Sequence, residues 1–250
     1  MEKQKSERLD KILSTSGFGT RKDVKKLIKQ GAVTVNGRTI NDAGERVNPL
    51  TDDIRVFEKN VNYKKYIYIM LNKPGGVISS TRDDDDTTII DLLDGKYSHR
   101  SLFPAGRLDK DAEGLILLTD DGQLAHRLLS PKSHVEKIYY VEVRGELNED
   151  DVAAFAAGIP LEDFTALPAA LEILEAGKIS KALVKIHEGK FHQVKRMMKA
   201  RNKEVVYLKR LSIGPLNLDE SLEPGEWREL TDSEIEGLQN IVFDSKKEVP

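Results

Sequence analysis

Residues 103–122 read FPAGRLDKDAEGLILLTDDG. Within them Asp109 follows Arg107 and Leu108 in a turn-forming segment that leads into the apolar run Leu115, Ile116, Leu117 and Leu118. A short apolar run bounded by turn signals predicts a buried strand. A carboxylate beside Arg107 and Lys110 is expected to stay ionised, because nearby positive charge favours the charged form. Gly106 and Gly114 relax the backbone on either side, as close approach to a ligand requires. Taken alone, Asp109 reads equally well as a surface carboxylate in a charged connection.

Working outward, the chain from Tyr66 alternates strands with short helices. YIYIML (66–71) predicts a strand, NKPGG (72–76) a Pro-Gly turn, and VISS (77–80) a return to extended structure. TTIIDLLD (87–94) predicts a short amphipathic turn of helix, and DGQLAHRLLSP (121–131) a helix that Pro131 ends. KIYYVEV (137–143) alternates like a strand, DDVAAFAAG (150–158) is a helix ending at Gly158, and LEILEAG (171–177) pairs with KALVKIHEG (181–189). FHQVKRMMKARN (191–202) predicts a basic helix with Val194, Met197 and Met198 facing inward, and Thr231 with Glu234 caps a last helix. Strands dominate and connections are short, which predicts an α+β fold with a largely antiparallel mixed sheet.

Residues 7–60 read as a separate module. Leu9, Ile12 and Leu13 have helical spacing, the 17–19 stretch turns the chain, and Thr20 with Asp23 forms a capping box opening a helix that carries Val24, Leu27 and Ile28. Gly31 closes this helix. In AVTVNGRTI (32–40), Asn36-Gly37 supplies the positive-φ pair of a tight hairpin. Arg21, Lys22, Lys25, Lys26 and Lys29 make the helix's outer face basic. Most such faces are simply solvated.

Three motifs carry a family resemblance. FPAGRLD followed by EGLILLTDDG resembles the catalytic motif of pseudouridine synthases, in particular their RsuA branch. The resemblance implies that Asp109 attacks the target uridine and that Arg107 fills the space the flipped base vacates. KIYYVEV resembles the family's K-x-Y-x-V segment and so places its active-site tyrosine at Tyr139; Tyr140, on the opposite face, is left to the sheet. EGKFHQVKRMM (188–198) is similar to the late motif and implies that Val194 lines the pocket while Lys195 pairs with Asp109. Arg196 takes that place if the helix is rotated, and Leu108 and Gln193 complete the implied substrate-binding set. Ala112 departs from the family, which commonly has a hydroxyl residue there. The stretch RLDKILSTSGFGTRKDVKKLIKQGAVTVNG (8–37) resembles the S4 RNA-binding domain along its length. Its implied RNA-binding face comprises Arg8, Lys11, Arg21, Lys22, Lys25, Lys26, Lys29 and Asn36.

The expected organisation is an S4 domain over 1–60, a basic linker over about 59–65 that would let the module swing, a synthase domain over 66–235 with a central cleft, and a tail over 236–250. The chain of 250 residues has no cysteine and a formal net charge of −3, which excludes disulfides and thiolate metal sites. Charge distribution matters more than the sum. Residues 1–50 hold eleven Lys or Arg against six Asp or Glu, and residues 185–210 hold nine against two. Two positive regions suit phosphate binding at two places. His99, His126, His134, His187 and His192 lack metal-ligand spacing, and no Gly-rich nucleotide fingerprint occurs, so neither metal nor cofactor is expected. No apolar run spans a membrane and the start lacks a signal-peptide core, so a soluble cytoplasmic protein is expected.

The resemblance implies isomerisation of one uridine in 16S ribosomal RNA, met in an assembling small subunit, by an enzyme whose simplest state is a monomer. A 23S-directed synthase of the same branch and a non-catalytic S4 assembly factor remain as alternatives.

Overall fold

The computed structural model describes residues 6–243; Lys3, Lys5 and the tail beyond Phe243 lie outside them. The described residues form two compact units, one of residues 6–66 with 95–101, the other of 67–94 with 102–243.

In the first unit, helices Leu9–Thr15 and Arg21–Lys29 bury Leu9, Ile12, Leu13, Val24 and Ile28, and both spacings are helical. The capping box is complete, with Thr20 Oγ1 accepting from the Asp23 N–H and the Asp23 carboxylate accepting from the Thr20 N–H. Asn36 (φ +51) and Gly37 (φ +78) turn Val33–Val35 back into Arg38–Thr39. The sequence reading did not anticipate a second partner for Val33–Val35, the antiparallel strand Ile54–Val56, which buries Ile54 and Val56.

Three expected boundaries differ. Lys59–Asn60 is a strand paired with Arg55 and Val56, and the Tyr63 hydroxyl donates to Glu7 at 2.9 Å, so the first part of the expected linker belongs to the first unit. Residues 95–101 also join it, because the Arg100 guanidinium donates to the carbonyls of Lys64 at 2.8 Å and Thr15 at 3.4 Å. At the other end, the helix Asp232–Phe243 runs on through the expected start of the tail at 236, burying Leu238 and Val242.

The second unit is built on a nine-stranded mixed sheet. Its main path runs Ala170–Glu175, Ile179–Ile186, Lys137–Arg144, Glu204–Ile213, Glu113–Thr119, Tyr68–Lys73, Trp227–Glu229. All neighbours on this path are antiparallel except one pair: Glu204–Ile213 meets Glu113–Thr119 in parallel, with Lys209 opposite Glu113 and Arg210 opposite Gly114. The expected run Leu115–Leu118 is a fully buried strand. Lys137–Arg144 alternates buried and half-buried residues up to the exposed Arg144, which places Lys137, Tyr139, Val141 and Val143 on the inner face.

Gly114 is the tightest point of this sheet. It sits at φ +96 opposite both Lys73 and Arg210, and a Cβ there would lie 2.3 Å from the Arg210 carbonyl oxygen. Its freedom therefore serves a backbone-to-backbone approach rather than a ligand. Gly114→Ala should destabilise the protein by roughly 3 kcal/mol or prevent its folding, since the obstructing atom is main chain and cannot rotate away. Denaturant unfolding of the variant against wild type measures this, and a change below about 1 kcal/mol would contradict the close approach.

Candidate active site

Asp109 lies in the irregular connection between strands Phe103–Pro104 and Glu113–Thr119. Several main-chain groups of this connection are held by hydrogen bonds. Ser79, itself buried, accepts from the Leu108 N–H at 3.0 Å and donates to the Leu108 carbonyl at 2.7 Å. Lys73, 0% exposed, donates to the carbonyls of Lys110 at 3.1 Å and Ala112 at 2.7 Å, and to that of Pro74 at 3.0 Å. The Gly76 N–H adds a second donor to Lys110, and the Ala112 N–H closes the turn onto the Asp109 carbonyl at 3.1 Å. The turn is thus fixed without the hydroxyl that the family commonly has at position 112.

The Asp109 carboxylate, 24% exposed, sits at the mouth of a cleft that is open to solvent. Apolar walls come from Leu108, Ala112, Leu129, Tyr139, Ile186, Val194 and Leu208. Lys195 Nζ reaches Asp109 Oδ2 at 3.0 Å, the contact expected of it, and also Asp111 Oδ1 at 2.6 Å, which was not expected. Burial works against the Lys195 charge, but its hydrogen bonds to Asp111 and Asp109, with the charges of those carboxylates, outweigh it and hold its pKa above the ordinary lysine value. The Lys195 hydrogen bond in turn holds the Asp111 carboxyl below its usual range, against the opposing effect of burial.

Several side chains stand elsewhere than the sequence suggested. Lys110 turns from Asp109 to Asp86 at 2.6 Å, which gives the acidic run 83–86 an internal partner. Arg107 lines the cleft, exposed, and makes no hydrogen bond or ion pair among the described residues. Arg196 does not line the cleft; it pairs with Asp163 and lies over the Phe164 ring at 5.1 Å. Gln193 lines the cleft, yet its amide is spent on closing the loop before its helix, donating to Glu188 at 2.8 Å and accepting from the Lys190 N–H at 3.1 Å. In the first unit, Asn36 uses its amide on Asp52 and the Asp53 N–H, which makes it a turn residue rather than part of a binding face. Arg8 forms a two-point pair with Asp10, and Lys11 pairs with Glu7. Arg21, Lys22, Lys25 and Lys29 are exposed and make no ion pair among the described residues, while Lys26 keeps only a 3.5 Å contact with Asp23.

Three cleft residues escaped the sequence reading. His192, at φ +50, brings Nε2 to 3.4 Å from Asp109 Oδ1 and stacks on the exposed Phe191 at 3.8 Å. Lys137 and Arg210 are 6% and 2% exposed and both line the cleft. The signal for Lys137 was present, two residues before Tyr139 on one strand face. Burial, reinforced by the Arg210 charge, pushes the Lys137 ammonium down to about 8. Burial likewise pushes Lys73 down to about 8, although Glu113, Asp111 and Asp109 pull it the other way. Among the described residues no three His, Asp or Glu side chains stand together so as to hold a metal ion.

Comparison with known proteins matches residues 67–200 to the family described as RNA pseudouridylate synthase and residues 7–54 to the S4 domain. The chain is 48% identical over 230 residues to a protein of Bacillus subtilis named uncharacterized RNA pseudouridine synthase YtzG, covering 91% of this chain and 96% of that one. It is 43% identical to the ribosomal small subunit pseudouridine synthase A of Haemophilus influenzae, covering 92% and 99%. A crystal structure of a pseudouridylate synthase, 43% identical, superposes with a TM-score of 0.65 over 92% of this chain and 99% of that one.

The buried Lys73 has a stability consequence with a definite sign. A lysine whose folded pKa is lowered from 10.5 to about 8 loses its proton in the folded state before the unfolded chain does, so its contribution to stability rises with pH across that interval. The stability of wild type relative to Lys73→Met should therefore increase from pH 8 to pH 10.5. Paired unfolding curves across this range test it, and a pH-independent difference would show that Lys73 is not charged and desolvated as described.

Proposed function

The chain belongs to the RNA pseudouridine synthase family, with an S4 domain ahead of the synthase domain, and on that premise we propose that it converts one uridine of small-subunit ribosomal RNA to pseudouridine. The observation that carries the activity is the Asp109 carboxylate at the cleft mouth, 3.0 Å from Lys195 Nζ, above a wall that includes Tyr139. The choice of RNA is supported by relatives such as the Haemophilus influenzae protein, whose name assigns it to the small subunit.

In this reading the target base leaves its stack to reach Asp109, and Arg107, exposed and unpaired among the described residues, fills the space it leaves. Asp109, held in position by Lys195, acts either at the base ring or at the ribose; in the ribose route its carboxylate bonds to the ribose carbon as N1 leaves and is displaced when C5 bonds there. The bond from N1 to the ribose breaks and its electron pair passes to the uracil ring. The ring turns, C5 bonds to the ribose carbon, C5 gives up its proton, and N1 gains one. Substrate and product are isomers, so the reaction consumes no oxidant, reductant or external nucleophile. Tyr139 presents a flat ring for stacking, and its hydroxyl, without a hydrogen-bond partner among the described residues, is free to move a proton. Val194, buried at the cleft wall, bounds the base on its apolar side.

The S4 domain supplies the sequence-independent grip. Arg21, Lys22, Lys25 and Lys29 are exposed on the helix that buries Val24 and Ile28, and phosphate binding by such a basic surface is driven by counterion release.

Mapping of pseudouridine on 16S and 23S rRNA from cells with and without the gene tests the substrate. Loss of a single 16S site is expected; loss of a 23S site would redirect the substrate, and no loss would leave an assembly factor. Asp109→Asn should bind the RNA within about twofold of wild type and form no pseudouridine, and turnover by this variant would refute the role of Asp109. Alanine at Arg21, Lys22, Lys25 and Lys29 should weaken RNA binding and reduce the slope of log affinity against log salt by about 0.7 to 0.9 for each phosphate no longer neutralised. An unchanged slope would move the phosphate-binding face elsewhere.

A further inference from the structure

The second unit holds three buried cations near the cleft, and they differ in how far their donors are used. Lys73 spends its ammonium on three main-chain carbonyls and does not line the cleft. Lys137 spends one bond, to the Val135 carbonyl at 2.8 Å. Arg210 spends its Nε–H on the Leu115 carbonyl at 2.8 Å, and its Nη2 is buried without any hydrogen-bond partner. Neither Lys137 nor Arg210 forms an ion pair among the described residues, although both are more than nine-tenths buried. Leaving charged donors unpaired in a dry site is costly, so an arrangement that keeps them so points to an absent acceptor.

Strand register brings both residues to one cleft. Lys137 and Tyr139 share a face of Lys137–Arg144, and Arg210 stands opposite Tyr139 on the neighbouring strand. All three line the cleft beneath Asp109. We propose that Lys137 and Arg210 read the target base, donating to the carbonyl oxygens of a uracil ring held against Tyr139 and thereby admitting uracil in preference to cytosine. This rests on the cleft being the synthase site proposed above.

Uracil carries carbonyl oxygens at C2 and C4, and a cationic donor aimed at the C4 position suits the second of them. Cytosine replaces one of them with an amino group, whose N–H bonds would face cations and find no acceptor. A buried mismatch of this kind discriminates far better than a difference in size. The repulsion between Lys137 and Arg210, which helps to push the lysine pKa down, is also what an incoming oxygen would relieve.

The test uses the full chain with UMP, CMP and inorganic phosphate as probes, followed by saturation-transfer NMR. Wild type should bind UMP at least about tenfold more tightly than CMP, and Lys137→Met should bring the ratio close to one. Arg210→Lys, which keeps the charge and loses the fork, should also lower it, with thermal melting confirming that each variant is folded. Equal or undetectable binding of the two nucleotides by wild type overturns the proposal whatever the variants do. So does an equal loss of UMP and CMP in Lys137→Met with phosphate competing for both, which would make the cations a phosphate site. Pseudouridine formation by wild type on ribosomal RNA is measured alongside. Activity without discrimination defeats this inference alone, and discrimination without activity defeats the proposed function alone.

Discussion

The cleft depends on the approach of Gly114 to Arg210. Those two residues join the antiparallel strands on one side of the sheet to those on the other through its single parallel pairing on the main path. Only a residue without Cβ fits, since the carbonyl of Arg210 would be 2.3 Å from it. The approach fixes two things at once. It anchors the strand that begins just beyond Asp109, and it sets the Arg210 backbone so that its guanidinium lies beside the cleft. Lys73, opposite Gly114 on the other flank, then ties the carbonyls of Lys110 and Ala112 to the same point. A carboxylate held this way loses little conformational freedom when a substrate arrives, which is what preorganisation requires.

Charge around the turn is arranged in layers. Lys195 is shared between Asp109 at 3.0 Å and Asp111 at 2.6 Å, so the carboxylate at the cleft mouth does not neutralise it alone. Asp111 is exposed and outside the cleft, and it takes the shorter contact. Its effect is to hold the lysine where it orients Asp109 while leaving one Asp109 oxygen near His192 and the opening. Deeper in, Lys137 and Arg210 face the same space without a carboxylate partner among the described residues. The cleft thus presents an anion at its mouth and donors within, a polarity matched to a ring whose carbonyl edge enters first.

Local periodicity made much of this legible in the sequence. The capping box at Thr20 and Asp23, the buried run Leu115–Leu118, and the inward set Val194, Met197 and Met198 all follow from spacing along one element. Pairings between elements were not legible, because they depend on register and on competing partners far along the chain. Lys110 is adjacent to Asp109 in sequence yet turns to Asp86, and Asp109 is served by Lys195 from a helix 86 positions later. Arg196, one residue from Lys195, points to Asp163, since neighbouring helix positions face about 100° apart. Gln193 and Asn36 looked available as polar side chains, but both satisfy main-chain groups at turns. Arg210 sits in VVYLKRLSI, where nothing local says that a charged residue will be buried.

The same competition for partners refines what the charge count means for RNA. A chain with a formal charge of −3 can still bind a polyanion, because screening at physiological salt limits each charge to a reach of about 8 Å. What matters is the charge left over on one face. Arg8 and Lys11 are basic residues of the first unit whose charges are already answered by Asp10 and Glu7, whereas Arg21, Lys22, Lys25 and Lys29 form no ion pair among the described residues. These four are exposed on a helix whose Val24 and Ile28 are packed into the core. The amphipathic helix that stabilises the first unit is thereby also the element that keeps its cations in water, available to phosphates.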